Sequence, residues 1–490
     1  MDKQVKKIPA NSPKASQTCP SRRSLIAAGA TLMAAGTATQ IPTTPAQAQS
    51  ADLELAQLQS RRVILIKDGV VLTLTGTDFA KADVLIEDGK IREIRPEMAA
   101  SGDTAVIDAT NRILIPGFVD THSHSYQGIL RSILPNGRVD PDYNRDVQNL
   151  LTPAYSPSDV YAGVLMSALG FIDMGTTTIV DLSQIGHSPE HSDACIRALQ
   201  DAGIRALFGY GRGSGPAARY PQDLPRLQRT YFNSKDQLLT LGLASSLDPQ
   251  TVAAARNAGI PAVMHYRVNP APVIALARAG LLREGDAFIH TTHLNNEAWQ
   301  VIKGIGARVS LSPPLEMAMG HGFPAIQDAL DQGVRPSLSS DHGTTVGQDM
   351  FSIMRTAYNL QRLGVQQRMR RNESNVPPLL TCREVLGFAT LAGARFAGLD
   401  GKVGTLAPGK DADIVMLRTD TFDLWPLNNA PSVVANMMNP SHVDTVFIAG
   451  KVKKWRGSLV GIDRARVMRL AQEARDAMMA RAGFKIELLG

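Results

Sequence analysis

The stretch ILIPGFVDTHSH, residues 113–124, decides how the rest of the chain is read. It runs apolar and then polar, and it places His122 and His124 one residue apart where the apolar run ends. Residues i and i+2 of a strand face the same side. Two imidazoles at that spacing can therefore point at one ion from the end of one strand.

Working outward, the same rhythm recurs. Short apolar runs follow at TTTIVDL (176–182), RALFGYG (205–211), LTLGLAS (239–245), PAVMHYR (261–267), AFIHTT (287–292), RVSLSP (308–313) and PSLSSD (336–341). Between them lie helix-like segments such as SDACIRALQDAG, PQTVAAARNAG and NNEAWQVIKGIG, and most end in glycine, as helix C-termini do. Eight strands alternating with helices predict a parallel (β/α)8 TIM barrel over 116–400. Residues 62–115 alternate in strand fashion with Asp-Gly turns at 68–69 and 88–89, which predicts a small antiparallel β unit. KVGTLAPGKDADIVML (402–417) and VDTVFIAGKVKKW (443–455) return to β character within 401–461 and are expected to join that unit. IDRARVMRLAQEARDAMMARAG (462–483) predicts an amphipathic closing helix ahead of a short tail to residue 490.

Reactive groups of such a barrel gather at the C-terminal ends of its strands. His122 and His124 end the first run, His265 sits in the fifth, His290 in the sixth and Asp341 at the end of the eighth. Three imidazoles and a carboxylate form a nitrogen and oxygen shell suited to Zn2+, with Fe2+ and Mn2+ as alternatives. Such an ion acidifies a bound water. Asp341 can accept its proton, and His290 can polarise a substrate carbonyl or steady an oxyanion.

Weaker candidates surround this set. Arg267 shares strand parity with His265 and could hold a carboxylate or carbonyl, or else a rim salt bridge. Gln127 could donate its amide to a substrate, and His342 could line the pocket. His187, His191, His293 and His321 fringe the strand ends. Glu316, after the seventh strand, is the carboxylate considered as a replacement acid, although loop glutamates are usually solvated.

The N-terminus reads differently. SRRSLIAAGATLMAAGTATQ carries Arg22 and Arg23 before a run of small and apolar residues, and PAQAQS offers a cleavage site after Ala48. This pattern predicts a twin-arginine export signal over 1–48 and a periplasmic protein, with no membrane anchor, because the run is too short and too rich in Gly, Ala and Thr to span. Five of the six net positive charges lie in the leader, so the mature chain is nearly neutral. With no basic stripe interleaved with aromatics, nucleic acid is not an expected partner; a small-molecule substrate is. Cys195 and Cys382, which outlast the leader, form no metal-type pair and read as buried thiols.

ILIPGFVDTHSH, IHTTHLNNE (289–297), SLSPPLEMAMGHG (310–322), SLSSDHGTT (337–345) and GKVGTLAPGKDADIV (401–415) together resemble the amidohydrolase superfamily, in the branch of cytosine and guanine deaminases and triazine chlorohydrolases. The resemblance covers nearly all of the mature chain. It implies a β-sandwich built from both termini, metal ligands His122, His124, His265 and Asp341, and His290 as the catalytic histidine. LTLGLAS has no lysine, so one metal is implied rather than a carbamylated-lysine pair. Relatives commonly assemble, which carries over the expectation of a homo-oligomer.

One position departs from the branch. Its deaminases and chlorohydrolases carry a glutamate three residues after the strand-five histidine, as a proton shuttle to a ring nitrogen. Here Val268 stands there, and valine neither donates nor accepts a proton. The expected activity is therefore hydrolysis of an amide, urea, carbamate or cyclic amide by a metal-activated hydroxide. Deamination or dechlorination of an N-heteroaromatic ring is the alternative, and a metal-binding receptor without turnover is the third reading.

Overall fold

The computed structural model describes residues 54–266 and 269–489; the expected leader, Arg267 and Val268 lie outside the described residues. Eight parallel strands form one sheet in chain order: β6 (Phe118–Ser123), β7 (Thr176–Ser183), β8 (Arg205–Tyr210), β9 (Leu239–Ser246), β10 (Ala262–His265), β11 (Ala287–Ile289), β12 (Arg308–Leu311) and β13 (Ser337–Leu338). Six of the eight fall within the apolar runs read from the sequence, and β7 and β9 pass the ends of theirs by one residue, to Ser183 and Ser246.

The ends meet through a parallel bridge between Ser123 and Asp341. There the Asp341 amide donates to the His122 carbonyl at 2.8 Å, and the His124 amide donates to the Asp341 carbonyl at 2.9 Å. The barrel thus closes through the backbone of residues expected to hold the metal. Strands β7 and β8 are buried at every position, as parallel strands covered on both faces must be.

The helices start and stop on local signals. Pro157–Asp173 opens with a Ser156/Asp159 capping box and Pro157 in its first turn. Pro189–Ala202 ends on Gly203 at φ 66°, a left-handed conformation that glycine adopts without a Cβ penalty.

The second sheet has nine strands, ordered β17-β16-β15-β14-β5-β1-β2-β3 with β4 beside β1. Its N-terminal members are β1 (Val63–Val71), β2 (Phe79–Glu87), β3 (Lys90–Arg95), β4 (Ala105–Asp108) and β5 (Arg112–Pro116). Its C-terminal members are β14 (Ile414–Arg418), β15 (Val443–Ile448), β16 (Lys451–Trp455) and β17 (Ser458–Leu459). Antiparallel pairing of β5 with β14 joins the two termini. Ile64, Ile66, Val84, Ile86, Ile414, Met416 and Phe447 share one core, so the strands from both ends pack over a common apolar layer.

Two expectations need correction here. The N-terminal unit is mixed rather than antiparallel, because β4 and β5 both run parallel along β1. The chain leaves the β2–β3 hairpin and crosses back before pairing, which sets that direction. In 402–417 only Ile414–Arg418 is a strand; Gly404 and Gly409 take positive φ around Pro408 and interrupt the ladder.

The run ILIPGFVD belongs to both sheets. It changes sheet at Gly117, where a Cβ would lie 2.1 Å from Thr177 Oγ1. The closing helix spans Arg464–Ala482. No helix among the described residues is long and apolar enough to cross a membrane. Both described cysteines are free; Cys195 is buried, whereas Cys382 opens a helix and is only partly covered, contrary to the expectation of two buried thiols.

Candidate metal centre

Each site residue stands where a strand of the barrel ends. The β6 end delivers His122 and His124, the β10 end His265, the β11 end His290, and the segment after β13 Asp341. His290, Thr291 and Asp341 hold φ of 74°, 53° and 60°, a left-handed backbone that non-glycine residues adopt at a cost. Strain of this kind concentrates at sites that the surrounding structure holds rigid.

The nitrogen atoms converge. His122 Nε2 lies 3.1 Å from His124 Nε2 and 3.1 Å from His265 Nε2. Asp341 Oδ1 lies 3.4 Å from both His122 Nε2 and His124 Nε2. Ligand bonds of about 2.0–2.1 Å in a tetrahedral shell imply ligand–ligand edges of about 3.3 Å. These four separations, which all run to His122 or His124, are close to the edges of the shell of one small divalent ion, and the donor types suit zinc. The structure brings together all four ligands expected from the sequence, with His290 beside them, its Nε2 3.4 Å from Asp341 Oδ2.

The protonation states of the two β6 histidines agree with ligation. Burial, reinforced by the neighbouring imidazoles, pushes the His122 pKa well below the ordinary histidine value. Burial takes His124 down to about 4 against the opposing pull of the Leu182 carbonyl. That carbonyl can only accept, so His124 Nδ1 donates to it at 2.9 Å and Nε2 presents its lone pair to the centre. Burial, with the charges of Glu316 and Asp120, raises the Asp341 carboxyl well above its usual range. A divalent ion would reverse that direction. Asp120, on the same strand as the His pair, receives the amides of His122 and Ser340 at 3.2 Å each, and burial raises it to about 7.

Glu316 is the main surprise. It lies in the short helix Pro313–Ala318 just after β12 and is fully buried. Its Oε1 lies 3.0 Å from His290 Nδ1 and accepts the Ser312 amide at 2.9 Å. Burial raises its pKa to about 8, opposed by that amide. The expectation of a solvated loop glutamate is overturned, because the helix turns the side chain inward beneath His290.

The weaker candidates separate. His342 is buried, hydrogen-bonds Thr344 Oγ1 through Nδ1 at 2.8 Å, and stacks on Tyr143 with ring centroids 4.6 Å apart. Its ring is 6.4 Å from that of His124, so it borders the centre. Gln127 is buried too, but its amide nitrogen already donates to the Tyr126 and Tyr143 hydroxyls at 3.0 and 2.8 Å. Its carbonyl oxygen is buried without a hydrogen-bond partner, so the unsatisfied group is an acceptor rather than the expected donor. The His321 ring lies 4.5 Å from His290, and the His321 carbonyl faces His293 Nε2 at 3.0 Å. His187 and His191 bind the carbonyls of Thr152 and Tyr155 and serve packing.

Tyr143 and Gln148 escaped the sequence reading. Both come from Val139–Leu151, an irregular helical segment without a motif, and Gln148 donates to the Tyr143 hydroxyl at 2.8 Å. A cavity of about 530 Å3 around Lys303, Arg308, Arg335, Arg383 and Arg395 includes Arg308, the first residue of β12, and contains none of the residues above.

Comparison with known proteins accords with this geometry. The amidohydrolase family profile matches residues 113–453. The chain is 28% identical over 441 residues to a 5'-deoxyadenosine deaminase of Methanothermobacter thermautotrophicus, covering 84% of this chain and 97% of that one. It is 27% identical to a 5-methylthioadenosine/S-adenosylhomocysteine deaminase of Thermococcus kodakarensis, covering 79% and 93%. Among solved structures it resembles an adenosine deaminase from Xanthomonas campestris with bound zinc, at TM-score 0.74 and 21% identity over 85% and 98% of the chains. It also resembles a variant of atrazine chlorohydrolase from Arthrobacter aurescens complexed with zinc and atraton, at TM-score 0.73 and 20% identity over 84% and 100%.

Proposed function

We propose, from the premise that this chain belongs to the amidohydrolase family, that it is an exported, mononuclear enzyme hydrolysing an amide, urea, carbamate or cyclic amide. As a family member it is a metal-dependent hydrolase of carbon–nitrogen bonds other than peptide bonds. The finer reading rests on one observation: Val268 occupies the position of the branch's proton-shuttling glutamate.

His122, His124, His265 and Asp341 would hold a divalent ion, which when bound would supply Lewis acidity and lower the pKa of a water. The chain's own residues do the rest. Asp341 accepts the proton of the attacking water. Its Oδ2 faces His290 Nε2 at 3.4 Å, so the proton can rest between the two groups. His290 faces the substrate carbonyl and steadies the charge that develops on its oxygen. An amine expelled from a tetrahedral carbon is basic and takes its proton from Asp341 or His290. Protonation of an aromatic ring nitrogen, the task of the missing glutamate, is then not required. The unpartnered Gln127 carbonyl oxygen would suit a substrate N–H that reaches it.

The named relatives support a second reading, deamination of a purine nucleoside-like ring. One experiment separates the two. The purified protein is assayed for metal by plasma mass spectrometry, then offered amides, ureas, cyclic amides and adenine nucleosides. Near one equivalent of metal, with release of an amine or acid, supports the proposal. Ammonia from an adenine nucleoside would replace it with deamination. Two equivalents would overturn the mononuclear assignment. Export is tested by fractionating cells that carry the Arg22→Lys/Arg23→Lys variant, which should keep the protein in the cytoplasm.

A further inference from the structure

We propose that Glu316 is the positioning residue of His290: its carboxylate holds the imidazole Nδ1 proton, so that Nε2 is the nitrogen turned toward Asp341 and the reacting atoms. The inference rests on the reading above only in taking His290 as the catalytic histidine.

Four observations carry it. The first is connectivity. β12 ends at Leu311 and the helix Pro313–Ala318 begins two residues later, which delivers Glu316 directly under the end of β11. The second is chemistry. The same Oε1 that accepts the Ser312 amide lies 3.0 Å from Nδ1, and an oxygen already acting as an acceptor calls for hydrogen on Nδ1.

The third is what surrounds the carboxylate. Glu316 is wholly buried, its Oε2 has no hydrogen-bond partner, and the ion pair described for it is the one with His290. A buried carboxylate kept only to cap a helix would be an expensive choice, because Oε1 alone receives the Ser312 amide and a neutral side chain could do the same. The fourth is the backbone of His290. At φ 74°, followed by Thr291 at 53°, the strand has already ended, so strand geometry no longer aims the ring. A side-chain hold is needed, and Glu316 provides it. This places on β12's following helix a second carboxylate of the site, in a chain whose strand-five position holds Val268.

The test reads the tautomer directly. The full chain, loaded with zinc and labelled with 15N-histidine, is compared by long-range proton–nitrogen correlation in the wild type, Glu316→Gln and Glu316→Leu; a His290→Gln sample assigns the signal. The proposal expects a protonated Nδ1 on His290 in the wild type and in Glu316→Gln, whose amide oxygen still accepts. It expects Glu316→Leu to lose that fixed tautomer while retaining wild-type zinc content. A bare Nδ1 in the wild type would overturn the proposal, as would a His290 signal unchanged by leucine. If the leucine variant does not fold, the wild-type and glutamine spectra still decide whether Nδ1 carries the proton. The readout needs no substrate, so a wrong substrate class leaves it standing. Once a substrate is in hand, Glu316→Leu should lower kcat by about 10–100-fold with KM little changed, and glutamine should recover part of the loss.

Discussion

Replacing Gly163 with alanine should loosen the metal centre from a distance. Gly163 lies in the helix Pro157–Asp173, where an added Cβ would stand 2.2 Å from the Tyr126 carbonyl oxygen and 3.0 Å from its carbon. The contact is reciprocal: a Cβ on Gly128 would meet the Gly163 carbonyl oxygen at 2.3 Å and Ser167 Oγ at 2.4 Å. The atoms facing Gly163 are all backbone, so no side chain can swing aside. Helix and turn must separate by about 1 Å to reach ordinary contact. That separation also stretches the Ser167 Oγ to Ser125 carbonyl hydrogen bond of 2.9 Å.

The turn Ser125–Ile129 follows directly on His124 and carries Gln127, so the displacement reaches a ligand. Overpacking of this kind costs about 1–3 kcal/mol in stability. Misplacing a reacting group by about 1 Å costs about 100-fold in rate. The assay pairs scanning calorimetry with zinc competition against a chromophoric chelator. The control is Gly364→Ala in the long helix Met350–Arg370, where an added Cβ meets nothing within 4 Å. Alanine there should stabilise by about 0.5–1 kcal/mol. If Gly163→Ala keeps wild-type melting and zinc affinity, the argument that this close approach seats His124 is wrong.

Other outcomes follow from single contacts. On the proposed roles, Asp341→Asn removes both an anionic ligand and the base: zinc content should fall and turnover should drop by at least about 100-fold. Full zinc in the folded variant would remove Asp341 from the ligand set. Arg205→Met strands a buried carboxylate, because Arg205 binds both oxygens of Asp413 at 3.0 and 2.9 Å and Asp411 at 3.0 Å. The loss in urea unfolding should be about 3–5 kcal/mol, partly recovered when Asp413 is also made apolar; a loss below about 1 kcal/mol would contradict it.

Asp83 gives a pH signature. Burial raises its carboxyl, but the Asp68 and Met98 amides and Lys67 outweigh this and hold the pKa below the usual value. A depressed folded pKa means the stabilisation is complete above the unfolded value of about 3.9 and fades as pH falls through the folded one. Asp83→Asn should therefore lower the neutral-pH plateau by about 1.5–3 kcal/mol and flatten the acid limb of a stability–pH curve. An acid limb as steep as the wild type's would assign the loss to other carboxylates.

Some of this molecule is legible from residue order alone. Period-two alternation, glycine-terminated helices and histidines at the ends of apolar runs determine a parallel barrel with His122, His124, His265, His290 and Asp341 at one mouth. Backbone periodicity and strand polarity fix those properties locally, so no distant contact is needed to read them. Val268 is likewise a fact of sequence, and the proposed substrate class rests on it.

Other features came only with the tertiary structure. Glu316 stands in a stretch that reads as a loop, and its burial depends on where a six-residue helix turns after β12. Gln127 keeps an acceptor rather than a donor because Tyr126 and Tyr143 claim its amide nitrogen, and Tyr143 comes from a segment with no pattern of its own. The parallel pairing of β4 and β5 with β1 depends on which edge stays open after the β2–β3 hairpin forms. The division has one physical reason. Periodicity reports which face of an element is apolar, whereas the partner of a buried polar atom depends on groups that only the closed fold brings within 3 Å.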